Sequence, residues 1–399
     1  MDVTNRTVAM IGNPIADKGH GEKDCERVFD LLSEAGDRHG FTVIDLTGGS
    51  YDDSLRNAHA HADLYDALVV VGGDGMIALG ANAVGGTGTP LGIVAVGSGN
   101  DFARGLGLPV NRLRTAVNGI AGAIVRGSAI DVDLGRVDPS RASAVDAIGA
   151  AGVGAAGDGV VGAADAAGAA GVADADAEAA RGGERAHGGV MAGGRYFAGM
   201  LSCGIDAKIN DRANHSRLPN GSLRYLAAVL VELTRLRPFG YHIRATRADG
   251  SVDERDIVSP LLTVANSRHI GGGIEVSPYS RFDDGLLDLV WIDHMPTLGE
   301  LAQVVPNIYN GRLLTSRLFG WERVRDVEIS RIDEGAEPPV LMADGEYIGD
   351  LPVRVAAMDR QLRVLVPPAV AERGSAMTRD GVSEAIARDG RDPLSGMFL

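Results

Sequence analysis

Apolar residues in the first third of the chain fall into short runs of Val, Ile and Leu: Thr7–Gly12, Phe41–Leu46, Ala67–Val71 and Leu91–Val96. Each is too short for a typical helix and reads as a strand. The last two lack polar alternation, as strands buried on both faces do. Between them the spacing turns helical, at Cys25–Ala35 with a stop at Gly36, at Ser54–His61 and at Val117–Val125. Strand alternating with helix predicts a doubly wound, open parallel sheet. Ala129–Val137 returns to extended structure.

The pattern then changes. From about Asp138 to Gly194 the chain is mostly Ala and Gly with scattered Asp, and it lacks the apolar bulk to offset the entropy of ordering. This predicts a disordered insertion within a β-hairpin, with an Ala-rich helix as the competing reading that the many glycines weaken. Order resumes at Arg195–Ile205, followed by a helical pattern at Leu223–Leu236 that Pro238 stops. Strand-like runs follow at Tyr241–Thr246, Leu261–Asn266, Leu286–Ile292, Val327–Ser330 and Leu362–Val366, interrupted by a helix at Leu298–Val305. The expected organisation is an α/β domain over 1–137, the insertion over 138–194, a mainly antiparallel β domain over 195–370, and a weakly ordered tail over 371–399. A return of the chain to the first domain near its end is left open.

Composition narrows the function. A chain of 399 residues is long enough for two domains, while 56 glycines and 5% aromatic residues imply low-complexity parts. A net charge of −15 offers no basic footprint for nucleic acid and no broad attraction to anionic lipid. Cys25 and Cys203 lie far apart with no C-x-x-C unit, as free thiols in a reducing compartment do. The start, MDVTNRTVAM, lacks a signal-peptide apolar core, and no run of apolar residues is long enough to span a bilayer. A soluble cytoplasmic protein is expected.

The chemistry concentrates after the two buried strands. Gly72-Gly73-Asp74-Gly75 follows the first and Gly97-Ser98-Gly99-Asn100 the second, each with a helical pattern beyond it. In an open parallel sheet such turns meet at the carboxyl ends of the strands, where ligands bind. Glycines let backbone N–H groups close on an anion, and a helix start adds the positive end of its dipole. A carboxylate beside a phosphate cradle, here Asp74, points to a cation between them, usually Mg²⁺. Gly72, Gly73, Asp74, Gly75, Ser98, Gly99 and Asn100 therefore read as a nucleotide-phosphate site. Read alone, the turns are also compatible with plain tight turns, and Asp74 with a turn-stabilising side chain.

GGDG followed downstream by PLGIVAVGSGNDFAR resembles the catalytic domain of the diacylglycerol kinase family, including its bacterial lipid kinases. GGDG alone also fits NAD kinases and phosphofructokinase-like enzymes; the Gly97–Arg104 run favours the lipid kinases. The resemblance covers roughly residues 5–137 and 195–367. It implies an α/β nucleotide-binding domain meeting a β-sandwich domain, with ATP and Mg²⁺ in the cleft and a lipid hydroxyl as acceptor. Asn13, Pro14 and Lys18 keep the spacing of the family's Asn-Pro-x-Ser-Gly-Lys, with Ala16 and Asp17 replacing Ser-Gly. The resemblance makes Lys18 a catalytic cation and Asp133 its acidic partner. Asp131 is the alternative, since strand alternation puts both on one face. Asn13 and Thr47 join the nucleotide-binding set.

Asp344 and Glu346, in LMADGEYIG, match the family's Asp-Gly-Glu, whose Asp is implied to take the proton from the lipid hydroxyl. Alone, the same residues read as a hairpin turn. Asp283-Asp284-Gly285-Leu286-Leu287-Asp288 resembles the family's segment around a structural Mg²⁺ site, with Asp284 and the carbonyl of Leu286 as ligands. An Asp-Gly hairpin is the plain alternative. Gly271–Gly273 is either a close backbone approach in the cleft or a bulge. The chain departs from the family at Met76, where Thr usually follows GGDG.

His59 and His61 point to different helix faces, and no Ser-His-Asp set or dinucleotide fingerprint emerges. The reading is an ATP- and Mg²⁺-dependent lipid kinase acting on diacylglycerol or a related lipid. It has no transmembrane segment and no nucleic-acid partner, and meets its lipid substrate at the membrane surface, as a peripheral protein of the inner face. Oligomeric state is left open, a homodimer among the options. The alternatives are a soluble-metabolite kinase and a nucleotide-binding regulator without transfer activity, the latter suggested by Met76 and the altered Lys18 loop.

Overall fold

A computed structural model describes residues 6–14, 20–97, 99–139, 194–216, 221–271, 273–373 and 379–399. The expected Ala/Gly insertion, except its ends, lies outside the described residues, as do Lys18 and Ser98.

The first half alternates strand and helix: β1 (Arg6–Gly12), α1 (His20–His39), β2 (Phe41–Asp45), α2 (Tyr51–Ala60) and β3 (Ala67–Gly72). It continues with α3 (Asp74–Val84), β4 (Leu91–Ala95), the short α4 (Asp101–Gly105), α5 (Leu113–Arg126) and β5 (Ala129–Pro139). β2, β1, β3 and β4 lie side by side, all parallel, with Val8 opposite Val43 and Ala67, and Leu68 opposite Leu91. The period-two alternation of a strand divides their side chains between two layers. Val8, Met10, Val69 and Val71 pack against Val28, Leu32, Val117 and Ile120 of α1 and α5. Ala9, Ile11, Leu68 and Val70 pack against Ile77 and Leu79 of α3. Every residue of β3 is buried, which is why its sequence shows no polar alternation. Each fully buried Val, Leu or Ile contributes about 1.5–3 kcal/mol. α1 runs past the expected stop at Gly36 and ends at His39, just before Gly40, whose φ of 81° suits the left-handed turn that closes a helix.

The second half begins with β6 (Arg195–Phe197), β7 (Met200–Ser202), α6 (Ile205–His215) and α7 (Gly221–Leu233). Then come β8 (Phe239–Arg247), β9 (Val252–Ser259), β10 (Leu262–Ala265), β11 (His269–Ile270), β12 (Ile274–Glu275) and β13 (Leu287–Ile292). α8 (Leu298–Val304), β14 (Phe319–Arg331), β15 (Leu341–Ala343), β16 (Glu346–Gly349) and β17 (Val353–Leu365) follow, and α9 (Pro368–Arg373) and α10 (Arg379–Arg388) close the chain. Its core holds Tyr241, Ile243, Leu262, Val264, Leu289, Val327 and Val355. The architecture is thus a parallel α/β half followed by a β-rich half.

Two long strands join the halves. β17 pairs antiparallel with β14 at Ile329–Val353, while its far end pairs parallel with β4 at Leu91–Val364. β5 runs beside β17 from Ala129–Leu365 to Pro139–Val353. The pairing is irregular between Met358 and Leu362, where Arg360 has a φ of 50°. That break explains why only Leu362–Val366 reads as a strand in the sequence. β9 has no sequence signal because its VDERD run is charged; it pairs with β8 alone, as a charged edge strand does.

The last residues depart from the expected loose tail. Val382 and Ile386 of α10 are fully buried against Tyr279, Leu314 and Trp321. Among the described residues, no helix is long and apolar enough to cross a membrane.

Candidate active site

A cleft of about 720 Å³ opens where the carboxyl ends of β1 and β3 face the β6–β7 connection and the β15–β16 hairpin. Asp74, the first residue of α3, lines it from one side. Its carboxylate does not brace its own turn. Oδ2 accepts the Asn100 N–H at 2.8 Å and Oδ1 the Asp101 N–H at 3.0 Å, both from the second glycine loop. Asn100 stands in the left-handed region, φ 58°, and its Oδ1 accepts the Gly97 N–H at 2.9 Å. The loops interlock tightly enough to need glycine. A β-carbon on Gly99 would stand 2.5 Å from Asp74 Oδ2, and one on Gly97 2.4 Å from the Gly73 Cα. Burial and the charge of Asp101 push the Asp74 carboxyl up to about 6, against the pull of the N–H groups it accepts.

Asp344 enters from the opposite side. The β15–β16 hairpin turns on Asp344-Gly345, both at positive φ (51° and 86°), as a type I′ turn requires. The hairpin reading of these residues is therefore correct, and the turn also carries a carboxylate into the cleft. Three successive N–H groups hold it: Ala198 on Oδ2 at 2.7 Å, Gly199 and Met200 on Oδ1 at 2.8 and 3.0 Å. Burial pushes Asp344 up to about 6; the three N–H groups oppose the rise and the charge of Asp74 adds to it. Glu346 is raised by burial as well, with Arg195 opposing. The Arg195 guanidinium lies 4.8 Å over the Tyr51 ring and Nη1 donates to the Tyr347 carbonyl at 3.3 Å.

Of the residues singled out in the sequence, Asn13, Gly73, Asp74, Gly75, Gly99, Asp344 and Glu346 line this cleft together. Gly72 and the fully buried Asn100 stand behind it. Thr47 does not line it: its hydroxyl accepts the Gly12 N–H at 3.0 Å and so braces the end of β1. Lys18 and Ser98 lie outside the described residues. Tyr51, Asn210, Tyr225 and His269 line the cleft without a motif that marks them. The glycine run held a partial signal for Tyr225, since a β-carbon on Gly271 would meet its ring at 2.1 Å. Burial lowers the pKa of His269, which keeps its ring neutral. The lining carries Asp74, Asp101, Asp344 and Glu346, and among the described lining residues none is Lys or Arg.

Asp133 and Asp284 belong to a different place, and neither lines the cleft. Strand alternation fails to put Asp131 and Asp133 in like surroundings. Asp131 is exposed, 3.9 Å from Arg363, whereas Asp133 is fully buried opposite the irregularity in β17. The Asp133 carboxylate accepts the Arg360 N–H at 2.8 Å and the Gly285 N–H at 2.7 Å. Asp284, expected to bind Mg²⁺ with the Leu286 carbonyl, hydrogen-bonds Arg323 instead, and Asp288 lies 3.7 Å from Arg323 Nε. Among the described residues, no group of three or more His, Cys, Asp or Glu side chains suits a metal ion. The residues at Asp284 do not fit the expected metal.

Residues 7–137 match the family model described as diacylglycerol kinase catalytic domain. Residues 199–366 match that described as YegS C-terminal NAD kinase beta sandwich-like domain. The chain is 27% identical over 365 residues to a diacylglycerol kinase of Mycobacterium tuberculosis, covering 90% of this chain and 95% of that protein. It is 26% identical over 319 residues to a probable lipid kinase YegS-like of Xanthomonas campestris, covering 78% and 82%. A crystal structure of a putative diacylglycerol kinase from Bacillus anthracis shares the fold, with a TM-score of 0.60 at 18% identity over 92% of this chain and 98% of that one. The glycine loops interlocked through Asp74, the Asp-Gly-Glu hairpin facing them and the two family matches lead to one assignment: the chain belongs to the diacylglycerol kinase catalytic-domain family of lipid kinases.

Proposed function

We propose that this chain transfers the γ-phosphoryl group of ATP, with Mg²⁺, to the hydroxyl of diacylglycerol or a related lipid. The observation that carries this reading is Asp344, a half-buried carboxylate fixed by three backbone N–H groups and close enough to feel the charge of Asp74 across the cleft. Phosphoryl transfer asks little covalent work of a protein; it asks for placement, charge neutralisation and a base at the acceptor. The lipid hydroxyl oxygen attacks the γ-phosphorus as its proton passes to Asp344, the bond from that phosphorus to the β,γ-bridging oxygen breaks, and ADP leaves. The product is a phosphatidic-acid-type monoester. A base so placed contributes ~10²–10⁴-fold.

A cleft wall of four carboxylates repels a nucleotide triphosphate without cations. Mg²⁺ commonly takes one or two protein carboxylates plus substrate phosphates and neutralises the charge on the phosphates it binds. Glu346 is the carboxylate we assign to it, since both Asp74 oxygens are held by the Asn100 and Asp101 N–H groups. Lys18 is proposed as a further cation on the phosphates, and Asn13, Gly73, Gly75 and Gly99 as the backbone that receives them. Substrate lipid resides in a bilayer, so the protein works at a membrane surface as a peripheral protein.

The test is transfer of labelled γ-phosphate to mixed-micelle lipids and soluble acceptors, with Asp344→Asn alongside. A labelled lipid, lost in the variant, is expected. Label only in a soluble acceptor overturns the lipid assignment, and full transfer by the variant removes Asp344 from the role of base.

A further inference from the structure

The 281–288 loop joins the two halves of the molecule, and its cation is built in. We propose that the Arg323 guanidinium takes the place a divalent ion was expected to hold beside Asp284, so that the loop is ordered without metal. The carboxylate oxygens of this cluster are spent within the protein, whatever the chain phosphorylates.

Asp133, Asp284 and Asp288 are all buried here, and each of their six oxygens accepts a hydrogen bond from the protein itself. The Asp133 pair takes the N–H groups of Arg360 and Gly285. Asp288 Oδ2 accepts the Ser280 hydroxyl at 2.6 Å and Oδ1 the Trp321 indole N–H at 2.8 Å. Asp284 Oδ1 accepts the Leu286 N–H at 3.2 Å, and Oδ2 accepts Arg323 Nη2. Even the Phe282 carbonyl is taken, by the Asp133 N–H at 2.7 Å. A hard cation such as Mg²⁺ wants six oxygens in near-octahedral array. Here the donors already point inward, and the positive charge comes from the planar guanidinium of Arg323. Arg323 projects from β14, paired opposite Asp288 of β13, so the cation arrives with the sheet register.

The consequence reaches the cleft. The loop that Arg323 holds presents Phe282, which packs edge-on against Phe102 of α4, just past the second glycine loop. Arg323 is thus a positioning residue: it orders the joint between the halves and touches no substrate.

The experiment is an anomalous difference map from crystals of the wild-type chain grown with Mn²⁺ and no nucleotide, paired with thermal melts in EDTA and in Mg²⁺. No manganese peak between Asp284 and the Leu286 carbonyl is expected, with guanidinium density in its place. Melting in the two buffers should coincide once the cleft contribution is removed with Glu346→Gln. Arg323→Met should lower the melting temperature by roughly 5 °C or more, because it strands buried carboxylates without their cation. A manganese ion on Asp284 overturns the proposal, as does a Mg²⁺-dependent rise in melting temperature that survives Glu346→Gln.

Discussion

Glu346 of the β-rich half reaches the first glycine turn of the α/β half: a β-carbon placed on Gly75 would stand 3.1 Å from its Oε1. The contact spans the cleft, and a methyl group on Gly75 would push the Glu346 carboxylate aside by a few tenths of an ångström. Gly75 lies in the first turn of α3, without a positive φ, where Ala is the better helix former by about 1 kcal/mol. Gly75→Ala should therefore leave the melting temperature unchanged or slightly raised while turnover falls at least tenfold, as Glu346 is displaced from the phosphates. Steady-state transfer assays beside thermal melts check this. Unchanged turnover would show that Glu346 needs no fixed position.

Asp344 carries a pH prediction with two opposite signs. Its carboxyl is held at about 6, and a base works only when ionised, so the rate should fall as pH drops below that value. Stability runs the other way. The folded value lies above the usual carboxylate range near 4, so the stabilising contribution is complete below pH ~4 and is lost as pH rises through about 6. Asn does not titrate. The melting temperature of Asp344→Asn relative to wild type should thus rise between pH 5 and pH 8, while its transfer rate is down ~10²–10⁴-fold at every pH. A constant melting difference across that range would mean that Asp344 titrates in its ordinary range.

The glycine loops and the Asp-Gly-Glu hairpin were legible because their residue types are dictated locally. Only glycine fits where Gly97 touches Gly73, and a two-residue turn with two positive φ angles wants Asp-Gly. The surroundings of Asp133 were not legible, because they are set by a distant irregularity in β17 that no alternation rule along β5 can report. Arg195 was not singled out because its partners, Tyr51 and Tyr347, stand 144 residues upstream and 152 downstream. The edge strand β9 escaped for a related reason: its charged face is an edge-strand device, and in sequence it resembles a loop.

Phe282 and Phe102 meet with ring centroids 5.0 Å apart and planes at 70°, the edge-to-face arrangement that aromatic pairs prefer. Phe102 follows Asn100 and Asp101, whose N–H groups hold Asp74. Phe282→Ala should cost about 2–3 kcal/mol, below the full value for a buried ring because Phe282 is only half-buried. It should also raise KM for ATP more than it lowers kcat, since the loop it steadies is assigned to the nucleotide. Denaturant titration and nucleotide-dependent kinetics separate the two effects. A loss of kcat alone would contradict the link from Phe282 to the phosphate loop.

Arg391 gives the sharpest test of the docked C-terminal segment. It is 1% exposed, an unusual state for a charged side chain. The guanidinium is satisfied by carbonyls alone: Leu314 at 2.7 Å, Gly396 at 2.8 Å, Phe319 at 2.5 Å and Ser316 at 3.4 Å. The Phe398 ring covers it at 4.0 Å. Burial lowers the arginine's pKa, yet it remains the charged centre of this cap. Replacing it with Met preserves much of the volume but leaves buried carbonyls without donors, at about 1–3 kcal/mol for each that water cannot reach. Arg391→Met should lower global stability by about 3 kcal/mol, and deletion of residues 379–399 by more, because Val382 and Ile386 leave the core with it. Both variants should keep Asp74 and Asp344 in place, so residual activity at low temperature is expected to track the folded fraction. Chemical denaturation monitored by Trp321 fluorescence reads the loss directly, since that indole packs in the same cluster as α10. A tail deletion with wild-type stability would mean that the segment contributes nothing to the fold.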